Sequence, residues 1–135
     1  MLALEPVIVA RVREALADWT VMGFTSDKGS RSARPLASVS FADCRVADSK
    51  AGAVNVQPGY RVTLLTTKGD EAAALVDAAF VAVVGALHNW KPGEVAGRRW
   101  ERLSLLLVGA PQYPEDGLVG VDLLFTTGAR FDGQP

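Results

Sequence analysis

The chain has 135 residues, a formal net charge of −1, 49% hydrophobic and 21% charged residues, one His and one Cys. This composition is globular and fits one domain, whose folding buries roughly two-thirds of the chain's surface. It excludes an internal disulfide and a His/Cys zinc site within the chain, confines any Ser–His–Asp triad to His88, and supplies no net charge to draw nucleic acid or an anionic membrane.

The N-terminus lacks a basic stretch ahead of an apolar run, so no signal peptide is expected, and assembly in a reducing cytoplasm is. Leu4, Ile8, Val12, Ala15 and Trp19 recur at three- and four-residue spacing, which predicts a first helix ending near Ala17. Glu5 and Pro6 suit its first turn. A β-like run from Trp19 to Phe24 follows, then a polar loop from Thr25 to Pro35. Ala37 to Phe41 alternates as a strand. Ala42 to about Gln57 reads as a second loop, with Gly52, Asn55 and scattered charges. Gly59 to Thr67 is a further strand.

Ala72 to Leu87 is the strongest element, a helix apolar almost all round with Asp77 as its lone charge. Thr67 or Asp70 could cap it. A helix apolar on most faces should be covered on most faces, by the sheet on one side and by the first helix or a neighbouring subunit on the other. Its length falls short of a bilayer span. Pro92 and Gly93 terminate the segment that follows. Arg102 to Val108 and Leu118 to Thr127 are the last two strands, joined by a turn-rich stretch from Pro111 to Gly117. A loose tail is expected from about Gly128. The order α-β-β-β-α-β-β predicts a single α+β domain with an antiparallel or mixed sheet of about four or five strands, packed by two helices.

Few residues offer chemistry. His88 could be a general base, but it stands at a helix end, where an imidazole serves free carbonyls. Cys44 has only Arg45 for activation. The glycines form no nucleotide-binding motif and the acids no metal spacing, so neither cofactor nor metal is expected. Two basic clusters remain: Lys28, Arg31 and Arg34 in the first polar loop, and Arg98, Arg99 and Arg102 after the second helix. Either could meet an acidic partner surface or a phosphate backbone, or be ordinary solvated charge. Trp90 and Trp100 flank a Pro-Gly segment and are candidates for an intersubunit contact or a lid on the core.

Several pieces together resemble a family. They are the helix Pro6-Val7-Ile8-Val9-Ala10-Arg11-Val12-Arg13-Glu14-Ala15-Leu16, the strand Arg34-Pro35-Leu36-Ala37-Ser38-Val39, the strand Tyr60-Arg61-Val62-Thr63-Leu64, and the segment Leu87-His88-Asn89-Trp90-Lys91-Pro92-Gly93. The closing strand Leu124-Phe125-Thr126-Thr127 completes the set. The chain resembles, over nearly its whole length, the small tail terminator (tail completion) proteins of long-tailed bacteriophages and prophages. The resemblance implies a structural virion protein and no enzyme. Such proteins form a ring, usually a hexamer, that caps the tail tube, halts its polymerisation and docks to the head connector or neck. DNA passes through the lumen without specific binding. The loops Thr25–Pro35 and Ala42–Gln57 depart from the family in length and basicity. Other readings are another connector or tube-like subunit and, in a different class, a small ligand-binding module or a hydrolase using His88.

Overall fold

The computed structural model describes residues 1–25, 34–112 and 116–135. In chain order the elements are α1 (Leu4–Ala15), β1 (Thr20–Gly23), β2 (Leu36–Lys50), β3 (Ala53–Thr67), α2 (Ala72–Leu87), β4 (Gly93–Val95), β5 (Arg98–Trp100), β6 (Ser104–Gly109), β7 (Leu118–Thr126) and β8 (Ala129–Asp132). The fold is α+β. Two helices pack on a mixed six-stranded sheet of order β1-β2-β3-β7-β6, with β8 also paired to β3, and β4 and β5 form a separate hairpin. The β1–β2 pair is parallel and the other pairs are antiparallel.

The core follows the two periodicities. Leu4, Ile8, Val9 and Val12 form the buried stripe of α1, and Ala72, Val76, Ala79, Val83 and Leu87 that of α2. Tyr60, Val62 and Leu64 of β3, with Leu123 and Phe125 of β7, join the same cluster. Alternation along a strand then turns Gly59, Arg61 and Thr63, and Asp122, Leu124 and Thr126, to the face away from the helices. Tyr60 stands edge-on to Phe41, with ring centroids 6.0 Å apart. Its hydroxyl donates to the Met1 carbonyl at 2.6 Å, tying the chain start to the middle strand. Glu5 is fully buried in the first turn of α1, and its Oε1 accepts from the Thr25 N–H at 2.8 Å. The carboxylate thus anchors the chain where it leaves β1.

Several expectations are corrected. The first helix stops at Ala15, and Trp19 lies outside it. Ala42–Gln57 is no loop but the outer half of a long β2–β3 hairpin turning at Ala51 and Gly52, with Cys44 on its first strand. Register shifts between Phe41 and Asp43 and between Val46 and Asp48 break the period-two pattern, and both faces of this arm are largely exposed. The tail is not loose: Ala129–Asp132 pairs with Ala53–Val56, and the Gly133 N–H donates to the Gly52 carbonyl at 2.6 Å. At the N-terminus of α2 the capping position is Glu71, not Thr67 or Asp70, and it makes no side-chain cap bond. One stripe of α2 is buried rather than most faces, and Val81 is 69% exposed. The loop bearing Lys28 and Arg31, and Tyr113–Glu115 of the last turn, lie outside the described residues.

Two outcomes follow. Phe125→Ala should cost about 3–5 kcal/mol in denaturant unfolding, whereas the 62%-exposed Leu107 should change stability by no more than about 0.5 kcal/mol on substitution by Ala. Burial, helped by Cys44 and Glu5, raises the Tyr60 phenol well above its ordinary value near 10. The unfolded chain therefore loses this proton first, so stability should fall as pH rises past about 10, by up to about 1.4 kcal/mol per pH unit. Tyr60→Phe should flatten that slope in thermal melts at increasing pH, and parallel slopes would contradict it.

Candidate docking groove

The segment after α2 is zipped onto the segment after β5. The Asn89 N–H donates to the Leu103 carbonyl at 2.7 Å, and the Leu103 N–H donates back to the Trp90 carbonyl at 2.9 Å. Between them, Glu101 is strapped to the end of β7. Its N–H donates to the Gly128 carbonyl at 2.9 Å, and the Thr127 hydroxyl donates to its carbonyl at 2.6 Å. This seam fixes where Arg99, Glu101 and Arg102 stand relative to the sheet.

A cavity of about 390 Å³ opens on the face of the sheet away from the helices. Gln57 and Gly59 of β3 and Leu124 and Thr126 of β7 form its floor, with Ser104 and Leu106 of β6 at one side. Asp43 and Arg45 of β2 face Glu101 and Arg102 across it. A second cavity, of about 510 Å³, shares Glu101 and Arg102 and adds Lys91 and Arg99. A third, of about 300 Å³, shares Arg99 and Glu101 and runs under the hairpin arm to Asn55 and Arg130. Glu101 lines all three, so the cavities are neighbours and make up one grooved patch around that residue.

The charges in this groove are mixed, and some of them are held in place. Gly59 lets the Asp43 carboxylate lie on the strand, since a Cβ there would come within 2.9 Å of its oxygen. Gly128 does the same for Glu101, because a Cβ would overlap that carboxylate. Arg102 Nη1 donates to the Asn89 carbonyl at 3.0 Å. Arg98 Nε donates to the Arg130 carbonyl at 2.9 Å, and its guanidinium stacks 3.6 Å from the Phe131 ring centroid. Arg130 pairs with Asp132 at 2.9 Å, and Arg61 with Asp122 at 3.5 Å. Among the described residues, Arg45, Arg99 and Arg102 have no carboxylate partner.

The structure therefore brings Arg98, Arg99 and Arg102 together with Arg45 and Arg130, which reading the sequence did not single out. Arg34 stands at the far end of the sheet, before β2. Trp100, a candidate for an intersubunit contact or a lid on the core, is 2% exposed within the core cluster, with Nε1 donating to the Val95 carbonyl at 3.3 Å, which fits the second alternative. Trp90 is half-buried beneath the Arg11 guanidinium, 5.1 Å from its ring centroid. His88 Nδ1 accepts the Leu105 N–H at 3.0 Å, so this nitrogen serves β6 and is not free to act as a base. Among the described residues no group of three or more His, Cys, Asp and Glu could hold a metal, and no helix is long and apolar enough to cross a membrane.

The fold has solved counterparts. A chain of the virion of a native gene transfer agent particle superposes with a TM-score of 0.68 at 19% identity, covering 96% of each chain. A second solved structure superposes with a TM-score of 0.63 at 14% identity, covering 98% of this chain and 94% of the other. At these identities the likeness establishes the shared fold. No protein-family model and no curated protein sequence matches the chain.

His88→Ala should leave the Leu105 N–H without its acceptor and lower stability by about 0.5–1.5 kcal/mol in urea titration. An unchanged unfolding midpoint would show that the bond contributes nothing.

Proposed function

We propose that this chain is a structural virion subunit that forms a ring, a hexamer, capping a tail tube, stopping its polymerisation and presenting a docking surface to the neck. The observation that carries the reading is the whole-length match in fold to a chain of a virion particle, with nearly the whole of both chains superposed. Assembly would take place in the bacterial cytoplasm, and the lumen would pass DNA without gripping it. The work of such a subunit is contact, not turnover.

A closed ring needs two different patches on each subunit. The sheet supplies one asymmetry. At the β1 edge, Arg13 Nη2 donates to the Val21 carbonyl at 2.8 Å and occupies part of the edge. The β6 edge, Ser104–Gly109, has no charge and no proline, and it displays Leu106 and Leu107, each 62% exposed. Proteins ordinarily blunt such an edge, so an uncovered one favours a partner. The outward strip of α2, with Val81, supplies a second apolar surface.

A neck or head–tail connector subunit and a tube-like subunit share these surfaces and differ in place: particle images would find the terminator at the tube end, the connector at the portal and the tube subunit along the tail. The hydrolase reading loses support from the engagement of His88 Nδ1.

Electron microscopy of the purified protein, alone and with tail tubes, tests the proposal. Rings, or caps at tube ends, are expected. Leu107→Asp should abolish them while circular dichroism stays native. A protein that remains monomeric and never appears on tubes overturns the reading.

A further inference from the structure

We infer that the groove around Glu101 is a docking site for an extended acidic segment of a partner polypeptide that carries a basic side chain at its middle. The inference rests on reading Arg99 and Arg102 as docking residues. It adds the chemistry of what docks and one further contributor, Arg45.

The shape comes first. Three neighbouring cavities border Glu101, and the first rests on the strand residues Gln57, Gly59, Leu124 and Thr126. Adjacent cavities around one side chain suit successive side chains of a single extended segment better than one compact ligand.

The charge pattern then selects the chain. Arg45, Arg99 and Arg102 are exposed and, among the described residues, unpaired with any carboxylate. Arg102 is nevertheless held, because the Asn89 carbonyl takes one of its protons without neutralising it. A guanidinium fixed in place and left charged is prepared for a carboxylate or a phosphate.

The acids decide between those two. Glu101 borders all three cavities, seated over Gly128, and Asp43 lies over Gly59. Every unit of a phosphodiester backbone is anionic, so one of them would face Glu101. A like-charge contact at ~4 Å near a protein surface costs on the order of 4 kcal/mol. Nor does the chain, at a net charge of −1, attract a polyanion from a distance. A polypeptide can alternate, with acids opposite the arginines and a lysine opposite Glu101, and so complement both signs of charge.

Fluorescence anisotropy of the purified full chain tests this with three labelled probes. One is the peptide Glu-Gly-Glu-Lys-Glu-Gly-Glu, the second has its Lys replaced by Glu, and the third is a short DNA duplex. The Lys-centred peptide should bind most tightly, and less so as salt rises. Arg45→Glu together with Arg99→Glu should weaken it by about tenfold or more. Glu101→Gln should erase the several-fold preference for the Lys-centred peptide and strengthen duplex binding. Melting curves should show all variants folded. Tighter binding of the duplex than of either peptide, no binding of the peptides, or peptide binding indifferent to the arginine reversals overturns the inference. Capping of tail tubes is scored separately: loss of capping with peptide binding intact counts against the ring and not against the groove, and the converse result counts against the groove alone.

Discussion

The middle strand β3 organises the molecule. It pairs along one side with β2 and along the other with β7 and then β8, so two partners share one edge in succession. The handover falls beside Pro58. Proline has no N–H to give, but its carbonyl accepts both the Thr127 N–H and the Thr126 hydroxyl at 3.2 Å. The chain leaving β7 therefore bends at Thr127 and Gly128 while staying attached. That bend receives Glu101, and with it the wall of the groove. The inner half of β3 supplies Tyr60, Val62 and Leu64 to the core, whereas its outer half becomes an arm. Core, arm and groove are consequences of one strand longer than the helices that cover it.

Sequence periodicity revealed what the core requires and little else. The bounds of α2 were legible because Ala72–Leu87 is an apolar run long enough for a helix and stopped by Pro92 and Gly93, although only one stripe of it is buried. Leu118–Thr126 was legible because half of it faces the helices. The outer hairpin was not. Its bulges shift the alternation, its charges stand on both faces, and no apolar run marks it as a strand. β8 was missed for a related reason: four residues with one aromatic carry too little pattern, and the pairing that stabilises them is far away in sequence. The candidate site shared this fate. Arg99 and Arg102 stood out as a local cluster, but Arg45 and Arg130 join them only through the arm. Trp100 shows a different limit: an aromatic beside a turn left contact and core both open, and only its burial in the folded chain decides for core.

Reactive side chains are few, and the structure commits them to architecture. The imidazole of His88 accepts a backbone proton, the Tyr60 phenol holds the chain start, and Glu5 anchors the exit from β1. Each joins segments distant in sequence by one hydrogen bond. The surface is distributed differently: apolar side chains on the β6 edge and α2, charge of both signs on the sheet face away from the helices. The molecule thus presents unlike surfaces on its different sides.

The anchoring of Ala129–Asp132 on Ala53–Val56 has an entropic corollary. Joining segments so distant along the chain carries the loop-closure cost of long-range pairing, which Ala129 in the core cluster and Phe131 packed against it help to offset. The wall of the groove is accordingly assembled from residues that are neighbours in space and far apart along the chain: Asn55 from one segment, Glu101 from a second and Arg130 from a third.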